Sequence, residues 1–369
     1  MTVNLMNTIK ELTSLGQSIW YDNIQRKLLE NGELAAMIER GDIRGVTSNP
    51  SIFQNAIAKS NDYDAALIPM AKAGEDAEAI FWELAIKDIQ DACDIFTALY
   101  EESDGGDGYV SLEVSPYLAN ETDGTVTQAG ELWERVNRPN LMIKIPATKA
   151  GLPAIRQTIA AGINVNVTLI FSIERYREVM DAYMSGLEDR ILAENNESSI
   201  ERVHSVASFF ISRLDSIIDK QLLADSPLRG KIAIANAKLA FEAFQDVTSS
   251  VRFGKLQLAR ANYQRPLWAS TSTKDPSYPD TLYIDELIGP ATVNTVPPKT
   301  LEAFKDHGTA SVTLTSDLDV AHQAIADLET AGISLAQATQ DLEDQGVKAF
   351  ADAFTGLLET IDERRRDAA

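Results

Sequence analysis

Along this chain, short runs rich in β-branched and aromatic residues alternate with longer stretches whose apolar positions recur every three to four residues. The short runs are SIWYD (18–22), GVTSN (45–49), YVSLEV (109–114), LMIKIP (141–146), INVNVTLIF (163–171), VHSVASFF (203–210), LWASTS (267–272) and TVNTV (292–296). Each reads as a strand. Stretches between them, such as DAEAIFWELAIKDIQDACDIFTALY and KIAIANAKLAFEAFQDVTS, carry their apolar residues at helical spacing. Strands separated by helices pair in parallel, so the alternation predicts an α/β protein. Eight such units point to a closed (β/α)8 TIM barrel more than to an open doubly wound sheet. An open sheet would usually show a glycine-rich phosphate loop after its first strand, and none is present.

Beyond residue 316 the pattern is purely helical, in DLDVAHQAIADLETAG and VKAFADAFTGLLETIDERRR. Phe350, Phe354 and Leu357 form one apolar stripe, which reads as core packing. Residues 1–369 are therefore expected to form a single barrel domain, with 316–369 as additional C-terminal helices packed on it. The terminal ERRRDAA reads as a solvated helix end.

Polar residues inside the strands are the anomaly that points to chemistry. In 141–146, Lys144 lies between Ile143 and Ile145, and strand alternation sends the isoleucines to one face and the lysine to the other. If the isoleucines pack under the helices, the amine points into the barrel; alone, it reads as well as an edge lysine reaching for water. Asn166 and Thr168 share a face opposite Val165, Val167 and Leu169, and Ser111 and Glu113 share one opposite Val110, Leu112 and Val114. Asp22 closes the first strand. Each residue by itself fits a satisfied core group or a turn. Together they direct an amine, two carboxylates, an amide and a hydroxyl toward one interior, and burying that set without a use is costly.

An amine among carboxylates, without a metal, suggests imine chemistry on a carbonyl substrate. A free lysine amine, with a pKa near 10.4, is neutral only about once in 2,500 molecules at pH 7, so the reading requires a desolvating interior. Asp22 and Glu113 are suitable acid–base types, and Asn166 and Thr168 suit a substrate or a proton-carrying water. Arg213, just after the sixth strand, lies where barrels commonly hold phosphate; pairing with Asp215 is its alternative.

Composition narrows the partners. With 44% hydrophobic residues in 369, the chain can bury a large core. Its formal net charge of −22 argues against nucleic acid or an anionic membrane surface. Any phosphate site must then be a local cluster of Arg or Lys. His204, His307 and His322 are far apart, which disfavours a histidine metal site. One cysteine, Cys93, excludes an internal disulfide; it reads as a buried structural thiol and fits a reducing compartment. Met1 to Ser14 has no apolar core or cleavage site, and no run is long enough to span a bilayer, so a cytoplasmic location is expected. No interface pattern stands out from the helical faces, and the sequence assigns no oligomeric state.

Five segments in order are similar to motifs of the transaldolase family: GVTSNPSIF (45–53), SLEVSP (111–116), LMIKIPAT (141–148), INVNVTLIFS (163–172) and SFFISRLD (208–215). WASTSTKDPSYPDTLYIDELIGPATVNTVP (268–297) resembles the late segment of the longer bacterial members. The resemblance implies that Lys144 forms a Schiff base with a ketose phosphate and that Asp22 takes the C4 hydroxyl proton during retro-aldol cleavage. It implies that Glu113 and Thr168 position a water that relays protons. Asn49 and Asn166 would contact substrate or the lysine, with Thr47 beside them, and Ser208 and Arg213 would bind hydroxyl and phosphate groups. The implied reaction moves a dihydroxyacetone unit from sedoheptulose 7-phosphate to glyceraldehyde 3-phosphate, in the non-oxidative pentose phosphate pathway, and needs no cofactor.

The chain departs from the family in one stretch. Where shorter members carry a second phosphate-binding arginine, ASTSTKDP offers Lys274, a point charge without a bidentate fork. Asp275 and Asp280 would weaken a phosphate site there unless they point away. Two rival readings remain. Fructose 6-phosphate aldolases of the same superfamily tend to be much shorter, with glutamine in place of Glu113 and tyrosine in place of Phe210. A non-catalytic barrel that senses sugar phosphates would require no pairing of Lys144 with Asp22 and Glu113.

Overall fold

The computed structural model of the chain describes residues 7–193 and 199–368. Residues 1–6, the start of the Met1–Ser14 segment, and Ala369 lie outside the described residues. Eight strands are present: β1 (Gln17–Tyr21), β2 (Gly45–Val46), β3 (Tyr109–Glu113), β4 (Leu141–Pro146), β5 (Val165–Ile170), β6 (Ser205–Phe210), β7 (Gln264–Ala269) and β8 (Thr292–Val296). Each pairs in parallel with its chain neighbours, and β8 returns to β1, closing the barrel. Closure leaves no unpaired sheet edge. Helices connect the strands, and two more, Leu318–Thr330 and Leu335–Ala368, follow the barrel.

The departures that matter for the site are in β2, β7 and β5. β2 is only two residues long, because Thr47 to Asn49 leave the ladder to begin helix Pro50–Ala58. There the Asn49 side chain accepts from the Ile52 N–H at 3.0 Å, and Pro50 takes the first turn, where a missing N–H costs nothing. β7 begins at Gln264 and takes in Pro266, opposite Ala207. The expected strand started after that proline; here the pairing with β6 runs through it. In β5 the register shifts between Val167 and Ile170, and Leu169 adopts φ 60°. Strict alternation therefore fails at Leu169, which meets Gly346 of the C-terminal helix. A bulge re-aims a side chain in this way, at a cost of about 1–2 kcal/mol for a left-handed leucine.

The lower end of the barrel is closed by groups the sequence reading passed over. Asp107, buried, accepts from Ser18 Oγ at 2.7 Å, Trp20 Nε1 at 3.2 Å, Arg44 Nε at 2.6 Å and Arg265 at 3.1 Å. Burial would raise its pKa, but Arg265 and Arg44 overcome that and hold it below the usual carboxylate range. Gly45 is obligatory beside this plug, because a Cβ there would sit 2.6 Å from the Trp20 indole. Gly45→Ala is expected to cost about 1–3 kcal/mol by overpacking, read as a lower Tm.

Helix Leu335–Ala368 lies against the helices that follow β2. Phe354 packs against Phe81, Trp82 and Tyr117 with ring centroids 5.3, 6.2 and 5.3 Å away. The ERRR run is not merely a solvated end: Arg364 binds Asp64 and the Ser60 carbonyl, and Arg365 binds the Glu75 carbonyl. These contacts tie the last turns to helix Asp64–Ala73 and its flanks. Cys93 is buried, and burial pushes its thiol pKa up, as expected of a structural residue. No helix among the described residues is long and apolar enough to cross a membrane.

Candidate active site

The strand register sets the centre of the site. Glu113 of β3 pairs with Lys144 of β4, which pairs with Asn166 of β5, so three polar side chains stand abreast on the inner face. Ile143 and Ile145 are fully buried on the other side. Lys144 is 5% exposed; its Nζ lies 3.2 Å from Glu113 Oε2 and donates to the Ser48 carbonyl at 3.1 Å. The edge-strand reading of this lysine is excluded. Burial raises the pKa of Glu113, against the charge and hydrogen bond of Lys144. A carboxyl with raised proton affinity suits proton exchange near neutrality.

Above this layer opens a cavity of about 260 Å³ lined by Asp22, Thr47, Asn49, Lys144, Thr168, Ser208, Phe210, Arg213 and Lys274, among others. The lining comes from the carboxyl ends of the strands, where barrels of this class build their sites. Asp22 accepts from Thr47 Oγ1 at 2.7 Å. Desolvation pushes the Asp22 pKa up, opposed by Lys144, the Thr47 hydrogen bond, Lys274 and Arg213. Asn166 is held at both ends of its amide, donating to Ser111 Oγ at 3.0 Å and accepting from Ser208 Oγ at 2.7 Å. Thr168 Oγ1 is buried with no protein partner, which suits a hydroxyl built to meet a substrate group or water. Asn49 uses its carbonyl oxygen on the helix cap, which leaves its amide nitrogen to donate into the cavity.

Two cations share the far side. Arg213 stacks over Phe210 at 5.1 Å and has no carboxylate within salt-bridge distance among the described residues. Asp215, its alternative partner, instead accepts from Tyr283 Oη and the Ala233 N–H, both at 2.8 Å. Lys274 donates to Ser272 Oγ at 2.6 Å; burial, then the nearby Arg213 charge, lower its pKa. Asp275 faces Arg229 at 3.7 Å, and Asp280 lies 2.8 Å from His307. Both acids therefore point away from the cations, and an anion can sit between Arg213 and Lys274. No cluster of three or more His, Cys, Asp and Glu able to hold a metal occurs among the described residues.

Sequence reasoning missed several lining residues. Ser270, Ser272 and Thr295 also face the cavity, and so does Phe350. Thr295 carried the signal used elsewhere, a polar residue at the end of a strand. Phe350 carried none: in the helical stripe it looks like Phe354. It is nevertheless a wall of the cavity, its ring centroid 5.5 Å from Lys144 Nζ and 6.0 Å from the Arg213 guanidinium.

Comparison with known proteins identifies a family. Residues 19–361 match the model of the transaldolase/fructose-6-phosphate aldolase family. A transaldolase of Parafrankia sp. is 48% identical over 367 residues, covering 98% of this chain and 99% of the relative. Transaldolases of Mycolicibacterium smegmatis and Thermobifida fusca are 48% and 46% identical, covering 94% and 96% of this chain and 95% and 97% of their own.

Proposed function

Because the chain belongs to the transaldolase/fructose-6-phosphate aldolase family, we propose that it carries out transaldolase chemistry with Lys144 as the Schiff-base residue. It is a transferase acting on sugar phosphates. The transfer runs from sedoheptulose 7-phosphate to glyceraldehyde 3-phosphate and yields erythrose 4-phosphate and fructose 6-phosphate. One observation carries the reading: the Lys144 amine of the interior layer stands between Glu113 and the cavity that Asp22, Arg213 and Lys274 line.

The chemistry follows from the positions. The Lys144 amine attacks the C2 carbonyl of the ketose, and water leaves to give the iminium. Glu113, beside Lys144, and Thr168, with its free hydroxyl, hold the water through which these protons pass. Asp22 removes the C4 hydroxyl proton; the C3–C4 bond breaks and its electron pair enters the iminium as an enamine. The aldose leaves, the acceptor aldehyde takes its place, Asp22 returns the proton as the new bond forms, and water then hydrolyses the new iminium to release the ketose and the Lys144 amine. Asn166 and Asn49 hold hydroxyls of the three-carbon unit, with Thr47 and Ser208 orienting Asp22 and Asn166. Arg213 and Lys274 hold the phosphate at the other end. The chain acts as one domain in the cytoplasm, in keeping with its lone buried thiol.

Glutamate at 113 and phenylalanine at 210 separate this chain from the fructose 6-phosphate aldolase reading. Incubation with fructose 6-phosphate should release little dihydroxyacetone until an aldose phosphate acceptor is added. Full-rate release without acceptor would overturn the transferase reading. Lys274→Met should raise the KM for the phosphorylated donor about tenfold or more, since a hydrogen bond to a charged group is worth roughly 1.5–3 kcal/mol. An unchanged KM would remove Lys274 from the phosphate site.

A further inference from the structure

We infer that Thr295 is a positioning residue: by donating to Thr47 it strengthens and orients the hydrogen bond from Thr47 to Asp22 and so holds that carboxylate aligned for proton abstraction. The inference rests on the reading of Asp22 as the base and extends it to a residue that touches Asp22 only through another.

Thr47 Oγ1 lies 2.7 Å from Asp22 Oδ1 and 2.6 Å from Thr295 Oγ1. A hydroxyl carries one proton, and an ionised carboxylate only accepts. Thr47 must therefore give its proton to Asp22, and the short contact on its other side is a hydrogen bond only if Thr295 donates. Both side chains are largely buried, with Thr47 2% and Thr295 4% exposed, at the edge of the cavity. Thr295 is itself held in place. Its backbone pairs with Trp20 across β8 and β1, and its carbonyl accepts from Thr271 Oγ1 at 3.2 Å. The result is a directed chain, Thr295 to Thr47 to Asp22, whose bonds polarise one another in a low-dielectric interior.

Without the Thr295 hydroxyl, Thr47 loses the donor that polarises its bond to Asp22 and restrains its rotamer, and the carboxylate is less well stabilised. The loss matters because burial already opposes the charged form of Asp22. The other charged groups that face Asp22 are Lys144 from β4, Arg213 from the helix after β6, Lys274 from the loop after β7 and Glu113 from β3. None of these changes in a Thr295 variant, so a shift in the titration of Asp22 reports the hydroxyl chain.

The test compares Thr295→Val, nearly isosteric but without a donor, with Thr295→Ser, which keeps it. The valine variant should lower kcat about tenfold at neutral pH and move the acid limb of kcat/KM upward by about 0.5–1 pH unit. KM and borohydride trapping of the ketose should stay as in the parent, and the serine variant should restore both kcat and the limb. A parental acid limb in Thr295→Val overturns the proposal. So does a raised KM with an unmoved limb, which would make Thr295 a direct substrate contact. Should the valine variant be poorly folded, Thr47→Val alone and combined with Thr295→Ala decides the matter: the second change must add nothing to the limb shift of the first. Asp22→Ala separates the two levels. If it cleaves substrate at the parental rate, the base assignment fails; if it is slow while Thr295→Val keeps its limb, only the relay fails.

Discussion

Lys144→Met should abolish covalent capture of the substrate and lower turnover by about four orders of magnitude or more, as loss of a nucleophile that acts as a unit with its partners does. The check is direct. Fructose 6-phosphate and borohydride should add the mass of the reduced sugar phosphate to the peptide carrying Lys144 in the parent and to no peptide in the variant. Turnover at the parental rate would discredit the assignment, and binding without any adduct in the parent would favour a sugar-phosphate sensor. Methionine is preferable to alanine because it keeps most of the lysine volume. Either change leaves Glu113 buried without its cation, which would be severe for a fixed charge. Glu113 already has a raised proton affinity from burial, so it takes up a proton and the fold survives.

Asp22→Ala should behave differently. The amine is untouched, so borohydride should still trap the donor on Lys144, while C–C cleavage slows by roughly two to four orders of magnitude for want of a general base. The parent should also lose activity on the acid side at a pH above the ordinary carboxylate range. Burial raises the pKa of Asp22; its base form exists only above that raised value and disappears as pH falls through it. The alanine variant should lack this limb in its residual rate. Normal cleavage by Asp22→Ala would take the residue out of the mechanism.

The interior set was legible in the sequence for a local reason. A strand alternates its faces with a period of two, so a lysine between two isoleucines, or an asparagine between two valines, has one direction left once the helices claim the apolar side. That logic carried Lys144, Glu113, Asn166 and Thr168 to the inner face, and Asp22 to the end of β1. It failed at Leu169, where a left-handed residue breaks the period, and at the start of β7, which begins ahead of the expected run and takes in Pro266. It was also silent on the direction of Asp275 and Asp280, because loop acids have no period. Arg229 and His307, distant in the chain, turn them outward.

From its sequence alone, then, this protein declares eight parallel strands, their connecting helices and an inward-facing amine with carboxylates, since hydrophobic periodicity and the cost of burying charge act within each element. The tertiary structure alone decided how the cavity is finished. It brought Phe350 from the C-terminal helix over Lys144 and Arg213, joined Thr295 to Asp22 through Thr47, and set Lys274 beside Arg213. Those pairings form only when barrel closure brings distant segments together, and no pattern within one segment records which partner it will meet.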